Sequence, residues 1–307
     1  MNDAASSSPL SARLLAVARD IKLSHSVFAL PFALLATFLA AASQGRVPSA
    51  AELVLIVICM VLARTMAMAV NRWADARFDA ANPRTAGRAI PAGRVSRSFM
   101  LTVATVCAGL FIVAASFFWV MRDNVWPMLL SPLVLAWLAG YSFTKRFTWL
   151  CHLWLGAALA LSPLAAAVAI APAFVTAASP WLLAAMVASW VAGFDVIYAL
   201  QDIDVDRTGG LHSMPSRLGP GAALWISRVL HLTSLAALVL LWRTDTHLHT
   251  LFAVGIVLVA ALLVLEHALV WGSRTHRLNL AFLTVNGVIS LALGGLGIAD
   301  VLLTTTS

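Results

Sequence analysis

The sequence predicts an all-α membrane protein of about nine transmembrane helices in a single bundle, and three observations carry that prediction. Of its 307 residues, 61% are hydrophobic and only 11% are charged. The mean hydropathy of +0.92 lies far outside the range of soluble domains. Apolar runs long enough to cross a bilayer recur along the chain, and together they account for nearly all of it.

Taken in order, the runs place spans at 23–42, 51–71, 98–121, 126–142, 153–171, 181–200, 222–242, 250–272 and 279–302. Two kinds of connection alternate between them. Those at 43–50, 122–125, 172–180 and 243–249 carry few charges, whereas 72–97, 143–152, 201–221 and 273–278 are charge-rich. Counting Lys and Arg outside the spans gives fifteen on the side of the N-terminus and three (Arg46, Arg122 and Arg243) on the other. That bias places the N-terminus and every charged loop in the cytoplasm. Residues 1–20 then form a cytoplasmic segment with no signal-peptide pattern, and the first span is its own insertion signal. Residues 21–303 form one transmembrane domain, capped by loops 72–97 and 201–221.

The net charge of +7 is spread over short loops rather than gathered in a patch, which excludes nucleic acid as a partner. Cys59, Cys107 and Cys151 have no metal-binding spacing, and none of the eight histidines has a spacing that converges with another, which argues against zinc or haem.

Function is concentrated in two stretches, Asn71-Arg-Trp-Ala-Asp75-Ala-Arg-Phe-Asp79 and Asp195-Val-Ile-Tyr198-Ala-Leu-Gln-Asp202-Ile-Asp204-Val-Asp206. They hold six of the chain's 13 acidic residues, and each closes an apolar run. Both open on the same membrane face. If the second span continues as helix, Asn71, Asp75 and Asp79 share one face over two turns. Asp202 and Asp206 are again four apart, while Asp204 points elsewhere. Facing Asp-x3-Asp pairs suit Mg²⁺, a hard cation held by a few carboxylates and by substrate phosphate oxygens. Carboxylates alone repel a diphosphate, and a bound metal ion reverses that sign. Arg72, Arg77, Arg84, Arg88, Lys145 and Arg146 stand where they would neutralise the remaining phosphate charge, or would merely solvate helix ends. Arg64 lies inside the second span, seven residues before Asn71, at a depth where an ion must face the interior. It is suited to clamping a carboxylate or phosphate, or to a structural partnership with a carbonyl or Asp195. Asp195 also lies within a span with Tyr198 one turn on, and Trp73 either packs or touches a substrate.

These residues carry a resemblance. Asn71-x3-Asp75-x3-Asp79, Arg84-Thr85-x2-Arg88-x2-Pro91-x-Gly93, Tyr141-Ser-x2-Lys145-Arg146 and Asp195-x2-Tyr198-Ala199-x2-Asp202-x3-Asp206 resemble the UbiA superfamily of intramembrane prenyltransferases. The stretches from Gly193 to Asp202 and from Gly210 to Gly219 are most similar to its 4-hydroxybenzoate polyprenyltransferases. The resemblance spans residues 20 to 300 and implies nine helices in a ring around a central cavity. It further implies Mg-dependent transfer of a polyprenyl group from a polyprenyl diphosphate to an aromatic acid in a bacterial inner membrane, for ubiquinone biosynthesis.

On that basis Asp75, Asp79, Asp202 and Asp206 hold the metal, and Asn71, Arg72, Arg84, Arg88, Lys145 and Arg146 serve the diphosphate. The resemblance also places Arg64 in the aromatic pocket; the residues themselves make Asp195 the candidate for polarising the phenol or accepting its proton, with Tyr198 assisting orientation. The chain departs from many members in having Arg72 where they carry Asp, and Lys22 and His25 receive no role. Another acceptor, such as 1,4-dihydroxy-2-naphthoate, fits the same motifs. A CDP-alcohol phosphotransferase would need an Asp-Gly-x2-Ala-Arg stretch, which is absent. A cation-coupled transporter would place its acids near the midplane with broken helices rather than at helix ends under a basic cap.

Overall fold

The computed structural model describes residues 9–21, 28–270 and 284–305. Lys22, His25 and the loop 273–278 with Arg274 and Arg277 lie outside these. Every regular element among the described residues is helical: α1 (Leu10–Asp20), α2 (Leu30–Ala42), α3 (Ala50–Ala81), α4 (Arg97–Arg122), α5 (Trp126–Thr144), α6 (Cys151–Ile170), α7 (Ser179–Tyr198), α8 (Ile203–Thr208), α9 (Met214–Thr244), α10 (Thr250–Leu269) and α11 (Asn286–Thr305).

Eight stretches are long and apolar enough to cross a membrane, the α7–α8 stretch counting as one. They match eight of the nine expected spans. The remaining one, 23–42, is represented by α2, whose N-terminal side runs into residues that are not described.

Two boundaries move in ways that matter. The second span was expected to end at residue 71, but α3 runs to Ala81, carrying the first acidic signature on helix. Nothing between Asn71 and Ala81 breaks a helix. Termination comes at Asn82, which is extended (φ −98°, ψ 117°) because Pro83 disfavours helical geometry in the residue before it. The loop expected at 201–221 is largely helical as well: a 3₁₀ turn (Ala199–Asp202), α8 and the first turns of α9 fill it. Ser213 caps α9 through a reciprocal pair with Ser216. The helix kinks at Gly219, whose φ of 82° needs a residue without a Cβ, just ahead of Pro220.

The helices close into a circuit, α2–α3–α5–α6–α7–α9–α10–α11 and back to α2, with α4 packed outside on α3 and α5. Helix α2 also reaches α6 across the interior, and α7 is the most enclosed of the long helices. Small residues permit these approaches, since membrane helices associate by packing rather than by expelling water. A Cβ on Gly156 of α6 would overlap the backbone carbonyl of Ala188 in α7, and one on Gly193 of α7 would overlap the His231 ring of α9. Trp190, Met186, Val187 and Val191 of α7 are fully buried in the same core as Phe32, Leu35 and Leu39 of α2, with Trp190 edge-on to Phe32 at 5.5 Å between ring centres. Asp195 lies one turn beyond Val191 on α7, where the helix meets the polar cavity.

Candidate active site

Both acidic signatures and half of the six basic residues expected to serve them, Arg84, Arg88 and Lys145, converge on one cavity of about 170 Å³. Helix α3 contributes Asn71, Asp75, Phe78 and Asp79, and the following loop adds Asn82, Arg84, Thr85 and Arg88. Helix α5 and its end supply Tyr141, Ser142 and Lys145, α6 supplies His152, and α7 with its 3₁₀ extension and α8 supplies Asp195, Tyr198, Asp202 and Asp206. The chain has two tyrosines, and both line this cavity.

The four carboxylates expected to hold metal are each matched to a different cation. Arg88 Nη1 lies 2.7 Å from Asp79 Oδ1, and Arg84 grips Asp202 through two bonds, Nη2 to Oδ2 at 2.7 Å and Nε to Oδ1 at 3.1 Å. Lys145 Nζ is 3.3 Å from Asp206 Oδ2, and Arg146 Nη2 is 3.4 Å from Asp75 Oδ1. Two of these pairs tie the halves of the chain together: Arg84 and Asp202 lie 118 positions apart, Lys145 and Asp206 61 apart. Burial works against the Lys145 ammonium, but the surrounding anions, Asp206 foremost, outweigh it and raise its pKa above the ordinary lysine value. Lys145 is therefore a fixed positive charge through the neutral range.

The cavity's remaining polar groups are ordered locally. Asn71 Nδ2 donates to Asp75 Oδ2 (2.9 Å), as the i, i+4 spacing predicts. Arg84 also donates to the Tyr198 hydroxyl (3.3 Å). Asn82, unremarked in the sequence, accepts from the Arg84 backbone N–H (2.9 Å) and donates to Asp202 (3.3 Å), fixing the loop across the cavity mouth. Deeper in, His152 Nδ1 stands 2.6 Å from Asp195 Oδ2. Sequence spacing gave no sign of that pair, because the two residues are 43 positions apart on different helices. A clue lay in the His itself, an ionisable residue at the start of an apolar run.

Several expected site residues stand back from the cavity wall. Arg72 is buried behind Asn71, donating to its Oδ1 (2.6 Å) and lying 3.6 Å from Asp20 of α1. Arg146 reaches the Ala74 carbonyl (2.8 Å) beneath Asp75. Arg64 sits two turns further along α3, off the cavity lining, and Arg77 is exposed. Trp73 lies outside the lining too, with the Arg97 guanidinium 5.4 Å from its ring centre. Asp204 is exposed, as its offset from Asp202 and Asp206 predicts.

The model of the UbiA prenyltransferase family matches residues 29–292. The chain is 32% identical over 267 residues to a 4-hydroxybenzoate octaprenyltransferase of Photobacterium profundum, covering 86% of this chain and 88% of that one. It is 31% identical over 243 residues to the enzyme of the same name from Chromohalobacter salexigens, with 79% and 78% covered. Among solved structures, the apo form of a UbiA homolog from Aeropyrum pernix K1 superposes with a TM-score of 0.81 at 32% identity, over 91% of this chain and 98% of that one. A UbiA homolog from Archaeoglobus fulgidus bound to GPP and Mg²⁺ shares the fold, with a TM-score of 0.72 at 18% identity over 93% and 99% of the two chains.

Proposed function

Because the chain belongs to the UbiA prenyltransferase family and is a multi-pass membrane prenyltransferase, we propose that it transfers a polyprenyl group from a polyprenyl diphosphate to 4-hydroxybenzoate. The product is 3-polyprenyl-4-hydroxybenzoate, a step of ubiquinone biosynthesis. The observation that carries this reading is the convergence of four acid–base pairs from both halves of the chain on one cavity. Relatives named for 4-hydroxybenzoate support the acceptor, and the homolog bound to GPP and Mg²⁺ supports the donor and the metal.

The residues fit Mg²⁺. All candidate ligands are carboxylates, and Asp79 Oδ2 is buried without a hydrogen-bond partner among the described residues. No three His, Cys, Asp or Glu side chains among the described residues are grouped closely enough to form a cage. Mg²⁺ is usually held by one or two carboxylates together with waters and substrate phosphates, so it needs no cage. Asp75 and Asp79 would hold it on one side, Asp202 and Asp206 on the other. When bound, Mg²⁺ neutralises diphosphate charge and makes the diphosphate a better leaving group.

The chain's own residues do the rest. Arg84, Arg88 and Lys145 bind phosphate oxygens and stabilise the negative charge that grows as the donor's C1–O bond breaks. Asn71 orients Asp75, while Arg72 and Arg146 support this face from behind. The apolar bundle shelters the allylic cation from water. The acceptor ring attacks from the deep side of the cavity, at the carbon ortho to its hydroxyl. Asp195 and Tyr198 handle the phenol there, with Arg64 further along α3 as the counter-charge for the carboxylate. The excess of Lys and Arg at this end of the bundle supports an inner-membrane orientation with the site toward the cytoplasm.

The test incubates membranes containing the protein with Mg²⁺, prenyl diphosphates of several lengths, and 4-hydroxybenzoate or 1,4-dihydroxy-2-naphthoate. Prenylated 4-hydroxybenzoate is expected from the wild type and from neither Asp75→Ala nor Asp202→Ala. Undiminished product from both variants would remove the metal assignment, and product with the naphthoate alone would replace the acceptor.

A further inference from the structure

Building on the prenyl-transfer reading above, we propose that His152 is a positioning residue that holds Asp195 as the proton acceptor for the aromatic substrate. His152 lies in the first turn of α6, is fully buried at 0% exposure, and lines the cavity. Its two ring nitrogens face opposite demands. Nε2 lies 3.3 Å from the backbone N–H of Met214, and Nδ1 lies 2.6 Å from Asp195 Oδ2.

A backbone N–H can only donate, so Nε2 must accept. The ring proton therefore belongs on Nδ1, directed at the carboxylate. The imidazole is thus a neutral donor locked in one tautomer. It fixes the rotamer of Asp195 through a hydrogen bond to a charged acceptor.

The other oxygen, Asp195 Oδ1, receives no hydrogen bond among the described residues, although Asp195 lines the cavity. This separates Asp195 from the other acids there. Asp75, Asp79, Asp202 and Asp206 each hold a Lys or Arg side chain. Asp195, held by a neutral ring, can take up a proton without first displacing a cation.

The packing that makes the pair is specific. Gly156, one turn after His152, lets α6 close on α7 at Ala188, and the Ser213–Ser216 capping pair fixes the Met214 N–H at the start of α9.

The step balances as follows. The donor's C1–O bond breaks and its electron pair leaves with the diphosphate. A ring π pair forms the new carbon–carbon bond to C1 as Asp195 Oδ1 takes the phenol proton. The proton on the attacked ring carbon then leaves to water, and Asp195 returns its own proton to the oxygen. One proton is released overall.

The test compares two substitutions in the full-length membrane enzyme. His152→Phe keeps a ring of similar size but removes the donor, whereas His152→Asn places an amide N–H near the position of Nδ1. His152→Phe is expected to lower kcat for the aromatic acceptor by about 100-fold, the scale of general-base catalysis, leaving KM for the prenyl diphosphate unchanged. His152→Asn is expected to recover at least a tenth of the wild-type kcat. Unchanged kcat in the Phe variant, equal loss in both variants, or a loss confined to prenyl diphosphate KM would overturn the assignment. If the Phe variant does not fold, His152→Asn is compared with Asp195→Asn: activity kept in the first and lost in the second supports the pair, and equal loss rejects it. A wild type that prenylates no aromatic acceptor would instead overturn the underlying function.

Discussion

Glu52 and Asp79 lie on the same helix, α3, roughly 40 Å apart at 1.5 Å per residue, and both are buried, at 0% and 6% exposure. Their surroundings differ completely. Glu52 accepts two bonds from Arg46 (2.9 and 3.0 Å) and one from the Ser49 backbone N–H (2.7 Å), with Arg122 Nε a further 3.1 Å away. At the same end of the bundle Asp300 accepts from the backbone N–H groups of His249, Leu251 and Phe252, at 2.7 to 3.3 Å, closing the start of α10. These acids have used their lone pairs on the protein. Asp79 holds one arginine through Oδ1, and its Oδ2 is buried with no donor among the described residues. A saturated carboxylate is a structural joint. An unsaturated one beside a cavity keeps coordination capacity for a ligand, at a cost in stability that a purely structural acid would not bear.

The sharpest way to break this comparison is to exchange single oxygens at the two ends. Asp79→Asn is isosteric but removes the charge that holds Arg88 and that the proposed Mg²⁺ would need, and it is expected to lower kcat/KM by about 100- to 1,000-fold, the scale of losing one transition-state charge partner. Its melting temperature should stay near that of the wild type, because Arg88 reaches solvent when released. Steady-state kinetics and thermal unfolding on the same preparation check both halves. A variant with normal turnover would show that Asp79 is no more functional than Glu52.

Glu52→Gln is the converse. It removes the anion from between Arg46 and Arg122 and replaces one of its two acceptor oxygens with an NH₂ group, while the remaining oxygen can still accept from the Ser49 backbone N–H, and it should cost about 2 kcal/mol of stability, in the range of lost hydrogen bonds to charged groups. The arginines are part-exposed (25% and 40%), so they regain water and the cost stays below that of a stranded buried ion. Activity per folded molecule should be unchanged. A fall in kcat without a fall in thermal stability would mean that the far end of α3 communicates with the cavity.

The sequence exposes these two ends unequally. Apolar run length alone located eight of the nine expected spans among the described residues, because the bilayer fixes how much chain each crossing needs. The i, i+4 spacing of Asn71, Asp75 and Asp79 foretold a shared face, and the helix delivers it. Which cation meets which carboxylate was not readable. Arg84 finds Asp202 across 118 positions, a partnership decided by how α3 and α7 dock rather than by anything local to either segment. His152 was hidden for the same reason. Its environment comes from three helices, and its sequence neighbours announce only the start of an apolar run. The extension of α3 was within reach, since Pro83 is the first residue after Val70 that a helix cannot pass easily. Glu52 had a local signature too, three residues after Ser49, but a capping box says where a helix begins and nothing about the arginines that close over it.

The smallest expected effect is the most discriminating for composition-based reasoning. Asp204 belongs to the second acidic signature by position, yet it is exposed and absent from the cavity lining, while its neighbours Asp202 and Asp206 are buried at 8% and 3%. Two residues along a helix is a rotation of about 200°, enough to carry a side chain to the opposite side. Asp204→Asn should therefore leave kcat, both KM values and the Mg²⁺ concentration giving half-maximal rate within about twofold of wild type, since surface substitutions away from special features stay within about 0.5 kcal/mol. Measuring it beside Asp206→Asn separates two explanations of the signature. If acid density at the membrane surface attracts Mg²⁺, the two substitutions should raise the half-maximal Mg²⁺ concentration equally. If Asp206 acts through its place in the cavity opposite Lys145, only its substitution should do so, and the gap between the pair measures how much of the signature is geometry rather than charge.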